Sequence, residues 1–268
     1  MSHVERYYDE HAEQEWLRLE RDRTEFALTI RALAEYLPPA PASVLDIGGG
    51  PGRYAIALAQ RGYAVTLADL SQAELDVAAA KAVEAGVVLD ACVRADVRDL
   101  SRFEDEVFDA VVLMGPLYHL LEEDDRLRAV REGLRVLRAG GVLFAAFISR
   151  YAAIRYWAKY DPMQVVNDLP RYESQIATGQ TAQAVGFTDL YLAHPTEVQP
   201  FMERAGAETL DLIGVEGVIS MIRDKVQELT GEAWERWMDL NYRLGRDPST
   251  HGGAEHLLYV GRKASGSG

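Results

Sequence analysis

One cysteine in 268 residues, Cys92, excludes an internal disulfide and any metal cluster built on several thiolates. Long hydrophobic runs are also missing. The longest, Gly141-Val142-Leu143-Phe144-Ala145-Ala146-Phe147-Ile148, is far short of the ~20 residues that cross a bilayer. The first segment, MSHVERYYDEHAEQ, is polar and acidic and holds no apolar stretch of the signal-peptide kind. Positive charge is scarce: 28 Lys and Arg stand against 42 Asp and Glu, a formal net charge of −14. That balance argues against a phosphate-backbone partner, which needs clustered cations. Repeats of solenoid period and low-complexity blocks are absent as well. The remainder is ordinary globular composition, 48% hydrophobic and 26% charged. The expectation is a cytoplasmic protein with neither nucleic acid nor membrane as partner. Cys92, inside the alternation Val87-Val88-Leu89-Asp90-Ala91-Cys92-Val93, reads as a small buried hydrophobe. The end, Ala264-Ser265-Gly266-Ser267-Gly268, reads as a flexible tail outside a single domain over 1–263.

Trp16, Leu19, Phe26, Ile30, Leu33 and Leu37 recur at helical spacing and predict one helix over about 12–37, interrupted only by Arg23. Pro38-Pro39-Ala40-Pro41 stops it. Short apolar runs then alternate with helical stretches. Strands are expected near 43–47, 63–68, 87–93, 107–113 and 141–148, and helices near 51–61, 71–85 and 123–138, with a polar connection at 95–106 that has room for a short helix. This rhythm predicts an α/β fold with a doubly wound, mostly parallel sheet. After Ile148 the rhythm breaks. Residues 149–187 are rich in tyrosine and tryptophan, 187–192 is strand-like, a helix starts near Thr196, and two strands are expected at 207–215 and 255–262. The simplest assembly is a lid or helix over 1–40, a core sheet from 41–148 and 205–263, and an inserted cap over about 149–195.

The most informative segment is Val44-Leu45-Asp46-Ile47-Gly48-Gly49-Gly50-Pro51-Gly52-Arg53-Tyr54. An apolar strand runs into four glycines within five positions and then into a helix. Glycine admits positive φ and lets a ligand approach the backbone, and ligands of doubly wound sheets sit where this loop must lie. The dinucleotide fingerprint G-x-G-x-x-G does not fit, because its third glycine falls on Arg53 when counted from Gly48. The spacing is instead Gly48-x-Gly50-x-Gly52, preceded by Asp46.

In this motif the chain resembles the class I S-adenosylmethionine-dependent methyltransferases of the small-molecule type. The resemblance runs on through Asp69 at the end of the second strand, Asp96 after the third, Phe108–His119 around the fourth, and Arg135–Leu143 entering the fifth. It implies a seven-stranded Rossmann-like sheet that binds S-adenosylmethionine and releases S-adenosylhomocysteine. It implies that Asp46, Gly48, Gly49, Gly50 and Gly52 form the first motif and that Asp69, with Leu70 beside it, faces the ribose hydroxyls. Asp96 and Val97 face the adenine, and Met114 and Gly115 belong to the fourth-strand motif. Tyr8, in the cluster Tyr7, Tyr8 and His11, corresponds to a lid residue over the cofactor. An Asn/Asp-Pro-Pro-aromatic motif, a cysteine cluster and an evident metal-ligand set are all missing, so no metal is expected.

The methyl of a sulfonium is already activated, so transfer is an in-line displacement that positioning accelerates. A base is needed only where the acceptor is a weak acid. His119, just past the fourth strand, is the first candidate and His194 the second. Tyr118, Tyr151 and Tyr191 are expected to touch a small-molecule acceptor at O, N or S. Two alternatives remain: a catalytically inactive S-adenosylmethionine-binding sensor or partner subunit, and a nicotinamide oxidoreductase, which the glycine spacing disfavours. Oligomeric state is not written in the sequence.

Overall fold

The structure is a computed structural model that describes residues 3–181 and 188–264. Two helices, α1 (His3–Arg21) and α2 (Arg23–Tyr36), precede the sheet. The alternating half follows as β1 (Ser43–Ile47), α3 (Arg53–Ala59), β2 (Ala64–Asp69), α4 (Gln72–Glu84), β3 (Ala91–Arg94), β4 (Phe108–Leu113), α5 (Glu123–Val136) and β5 (Leu137–Ile148). Then come α6 (Ala152–Tyr160), α7 (Met163–Asn167), α8 (Leu169–Thr178) and the two-residue strands β6 (Gln180–Thr181) and β7 (Leu190–Tyr191). The chain closes with α9 (Pro195–Ala205), β8 (Ala207–Gly214), α10 (Arg223–Gln227), α11 (Gly231–Gly245) and β9 (His256–Lys263).

Seven strands form one sheet in the order β3-β2-β1-β4-β5-β9-β8. The first five pair in parallel, whereas β9 runs antiparallel to both β5 and β8. Because successive strand side chains point to opposite faces, each strand feeds two cores. Val111, Leu113, Leu143 and Ala145 pack with Ala129, Leu134, Phe201 and Met202 of α5 and α9. Their neighbours Ala110, Val112 and Phe144 pack on the other face with Leu28, Leu33, Tyr54, Leu58, Trp234 and Tyr242 of α2, α3 and α11. Full burial of such a side chain contributes about 1.5–3 kcal/mol, which is why alternation in sequence sets the layers.

Several local expectations are corrected. The single helix over 12–37 is two helices that begin at His3, kink at His11 and break at Asp22, whose φ/ψ of −86°/65° is not helical. The break is tied to α10: the Arg23 amide donates to Gln227 at 2.8 Å and Asp22 lies 4.0 Å from Arg223. Cys92 is exposed, not buried: β3 is an edge strand whose outward positions face solvent. The polar connection 95–106 forms turns, with a bridge between Asp96 and Asp99, and no helix. The strand-like segment 187–192 is reduced to β7, Phe187 lying outside the described residues, and Ala264 alone of the expected tail is described. No helix among the described residues is long and apolar enough to cross a membrane.

Candidate active site

Parallel pairing brings the carboxyl ends of β1, β2 and β4 to one edge of the sheet, and the chain leaves each of them through a short loop. Between β1 and α3 the backbone turns sharply. Gly48 has φ of +65°, and a Cβ there would lie 2.3 Å from Cγ of Pro116, so the loop after β4 can approach only because the side chain is missing. Gly52, at φ +81°, opens α3 in the left-handed region. Asp69 knits the edge together. Its Oδ2 accepts from the Gly50 amide and its Oδ1 from the Ser71 amide, both at 2.9 Å.

These loops form one end of a cavity of about 460 Å³, within the usual range of small-molecule sites. Gly48, Gly49, Gly50, Asp69, Leu70, Asp96, Val97, Met114 and Gly115 all line it. The cavity continues past Tyr8, Tyr118 and His119 to an inner wall of Glu25, Thr29, Ala146, Val215, His256 and Leu258. Asp46 lies beneath the loop, fully buried, and Gly52 packs behind it against Ala78. Asp96 carries a partner that the sequence did not announce. Arg98 bonds both of its oxygens, which holds the carboxylate below its ordinary pKa, and reaches Asp125 as well.

The described part of the cap supplies none of this. Among the described residues of 149–195, no side chain lines the cavity, and the wall expected from them comes from α1 and α2. Tyr151 sits edge-on to the ring of His194 at 5.7 Å. Tyr191 lies under the guanidinium of Arg126 at 3.5 Å and donates to Glu197 at 3.2 Å. His194 opens α9: its Nδ1 accepts from the Thr196 amide, and the Glu197 carboxylate accepts in return from the His194 amide. These three residues are brought together with one another and not with the site. Their positions reflect packing of the insert against α5 and the start of α9, which residue type alone does not reveal.

His119 does reach the cavity, but both ring nitrogens are taken. Tyr8 Oη is 2.8 Å from Nε2 and Thr188 Oγ1 is 2.8 Å from Nδ1. Burial pushes its pKa down to about 3, so it stays neutral and serves as a link between α1 and the loop after β4. The inner wall holds what the sequence reading missed. Glu216, fully buried, accepts from the His256 amide at 2.9 Å and pairs with His256 Nδ1 at 2.6 Å. Glu25, Glu216 and His256 bring donor atoms within 4.8 Å of one another, a grouping unforeseen where no metal-ligand set was evident. Residues 25, 216 and 256 share no motif; α2, the turn after β8 and the start of β9 assemble them.

The cofactor that the resemblance implies fits these residues. Beside Gly50, which lines the cavity, no atom comes closer than 3.6 Å to where a Cβ would stand, so the backbone is open to a ligand, and Asp69 presents a carboxylate suited to a diol. Both oxygens of Asp46 are buried without a hydrogen-bond partner among the described residues, and burial, then the nearby Asp69, pushes the group up to about 7. An unpaired buried acid is costly, and a cationic ligand relieves that cost.

Comparison with known proteins points the same way. Residues 45–145 match a family described as a methyltransferase domain. The chain is 30% identical over 225 residues to a tRNA 5-carboxymethoxyuridine methyltransferase from Escherichia coli O157:H7, covering 81% of this chain and 77% of that protein. It is 29% identical over 183 residues to a ubiquinone biosynthesis O-methyltransferase from Xylella fastidiosa, covering 68% of each. The crystal structure of a methyltransferase from Methanosarcina mazei superposes with a TM-score of 0.61 at 19% identity, over 88% of this chain and 98% of that one. The sheet order, the glycine loop with its orphaned acid and these similarities converge: the chain belongs to the class I S-adenosylmethionine-dependent methyltransferases.

Proposed function

We propose that the enzyme methylates O, N or S of a small metabolite held in the inner part of the cavity. The observation that carries this reading is the cavity itself. It continues from the glycine loop into a mostly apolar recess bounded by Tyr8, Tyr118, Ala146, Val215 and Leu258, with polar groups confined to a few points. A net charge of −14 adds that a large polyanion is repelled from the surface.

Bound S-adenosylmethionine supplies an activated methyl group. In this reading Asp69 accepts hydrogen bonds from the ribose, Asp96 and Val97 border the adenine, and the loop 48–52 admits the methionyl part. Tyr8, tied to His119, holds α1 over the junction between cofactor and acceptor and excludes water. The tyrosines and the apolar wall orient the acceptor so that its nucleophile meets the methyl carbon in line, and positioning of this kind provides much of the acceleration. His119 takes a positioning role, because both ring nitrogens already hold Tyr8 and Thr188 and burial keeps the ring neutral.

A second reading, a nucleic-acid acceptor, is favoured by the tRNA methyltransferase at 30% identity. Incubation with methyl-labelled S-adenosylmethionine, a low-molecular-weight extract and a tRNA fraction separates the two. Label is expected in the small-molecule fraction. Label confined to tRNA overturns the proposal.

A further inference from the structure

Two histidines line the cavity, and they differ in what they have left to offer. His119 is bonded at both nitrogens. His256 is bonded through Nδ1 and its amide to a single buried carboxylate, Glu216, and its Nε2 makes no hydrogen bond within the described residues. It begins β9 directly opposite Ile148, the last residue of β5, at the ligand edge of the sheet. An imidazole anchored at one nitrogen by a carboxylate presents the other in a fixed direction, the arrangement that proton-handling histidines share. Glu25, from α2, lines the same wall and is within 4.8 Å of the pair.

We propose that His256, oriented by Glu216, pairs with the oxyanion of the acceptor, and that the acceptor is an ionisable hydroxyl compound of the phenol or enol class with a second donor for Glu25. This rests on the small-metabolite reading. The acceptor O–H bond breaks with its electron pair left on oxygen, its proton passes to solvent, and the oxyanion pairs with the His256 imidazolium. The oxygen then bonds to the methyl carbon while the carbon–sulfur bond breaks and its pair stays on sulfur. The imidazolium stays behind when the methylated product leaves. An acceptor arriving as its anion pairs with the imidazolium directly, and a neutral one does so after its proton is released to solvent; the same one-proton complex results.

The charges around the ring agree. Burial opposes the imidazolium, but Glu216, with Glu25 and Glu255, outweighs it and lifts His256 to about 10, matching the ~10 of a phenol. Glu25 is offset by Arg18 of α1 at 3.7 Å, and Glu255 by Arg223 of α10 at 3.0 Å. Neither acid therefore has His256 as its sole cationic neighbour.

The test uses 4-nitrocatechol, whose visible phenolate band reports its ionisation, titrated into full-length enzyme loaded with S-adenosylhomocysteine. Bound nitrocatechol is expected to ionise at least about one pH unit below the free compound, a tenfold preference for the anion. His256→Gln should abolish that shift and Glu216→Gln should shrink it, while S-adenosylhomocysteine affinity stays within about twofold and certifies the fold. Nitrocatechol that does not bind, that ionises as in water, or that keeps its shift in His256→Gln overturns the proposal. So does a shift that EDTA removes and Mn2+ restores, which makes Glu25, Glu216 and His256 ligands of an ion. If label enters small molecules while nitrocatechol stays unshifted, the proposed function stands and only this inference falls.

Discussion

Two sets of buried or half-buried acids lie about the cavity, and the fold treats them in opposite ways. Beneath the glycine loop, Asp46 and Glu74 are fully buried with no hydrogen bond to any carboxylate oxygen within the described residues, and Asp69 nearby is bonded by backbone amides. On the inner wall every acid faces a cation: Glu25 faces Arg18, Glu216 faces His256 and Glu255 faces Arg223. The consequence appears in proton affinity. Burial, then Asp69, Glu15 and Asp9, drive Glu74 up to about 9, whereas Glu216, although burial works against its charge, is held below its ordinary value by His256. One region is an electrostatic demand left open for a cationic ligand; the other is already balanced by the chain. In the proposed function a sulfonium cofactor answers the first demand.

The comparison is broken most severely at Gly48. Gly48→Val places a β-branched side chain at positive φ and drives it into Pro116. Calorimetry should show S-adenosylmethionine affinity reduced about 100-fold or more, since backbone strain alone costs about 1–3 kcal/mol. Gly50, at φ +52°, shares the backbone strain but not the clash, as a Cβ there meets nothing closer than 3.6 Å. Next comes Asp69→Asn, which removes the charge from the bonds expected to the ribose and from those to Gly50 and Ser71. With charge-assisted hydrogen bonds worth about 1.5–3 kcal/mol, affinity should fall about 10- to 100-fold. Unchanged affinity would remove Asp69 from the cofactor site.

Glu74→Gln sharpens the contrast from the stability side. A carboxyl whose folded pKa is raised binds a proton that the unfolded chain has released, so stability falls as pH rises from about 4.5 to about 9. The glutamine variant should therefore melt higher than the parent at pH 8, by about a few °C, with the gap closing near pH 4. A gap independent of pH would show that Glu74 is not ionising in that window. The smallest effect belongs to His194→Ala. Loss of the α9 cap should cost about 0.5–2 kcal/mol in denaturant unfolding and leave kcat and the cofactor Kd unchanged. A fall in kcat with its pH limb altered would return His194 to the chemistry.

Legibility followed the range of the interactions. The glycine loop could be read because Gly48 through Gly52 act on one another over five residues, and Asp69 could be read because it closes a strand whose alternation is local. The helix over 12–37 was misdivided because Asp22 answers to Arg223, which is 201 residues away in sequence. Tyr151, Tyr191 and His194 had the residue types of a pocket but the neighbours of a helix cap. His256 carried no signal at all, sitting at a strand start beside an unremarkable Glu255.

By itself the sequence determined the layered α/β sheet and the cofactor edge, because burial periodicity and glycine conformation are properties of a few consecutive residues. Only the tertiary structure decided what closes the cavity and which histidine has a free nitrogen. The seven-stranded order places β9 antiparallel between β5 and β8, and that alone brings His256 to the edge where the parallel strands end. Pairing of a late strand with an earlier one depends on contacts across more than a hundred residues, and no local pattern encodes such a meeting.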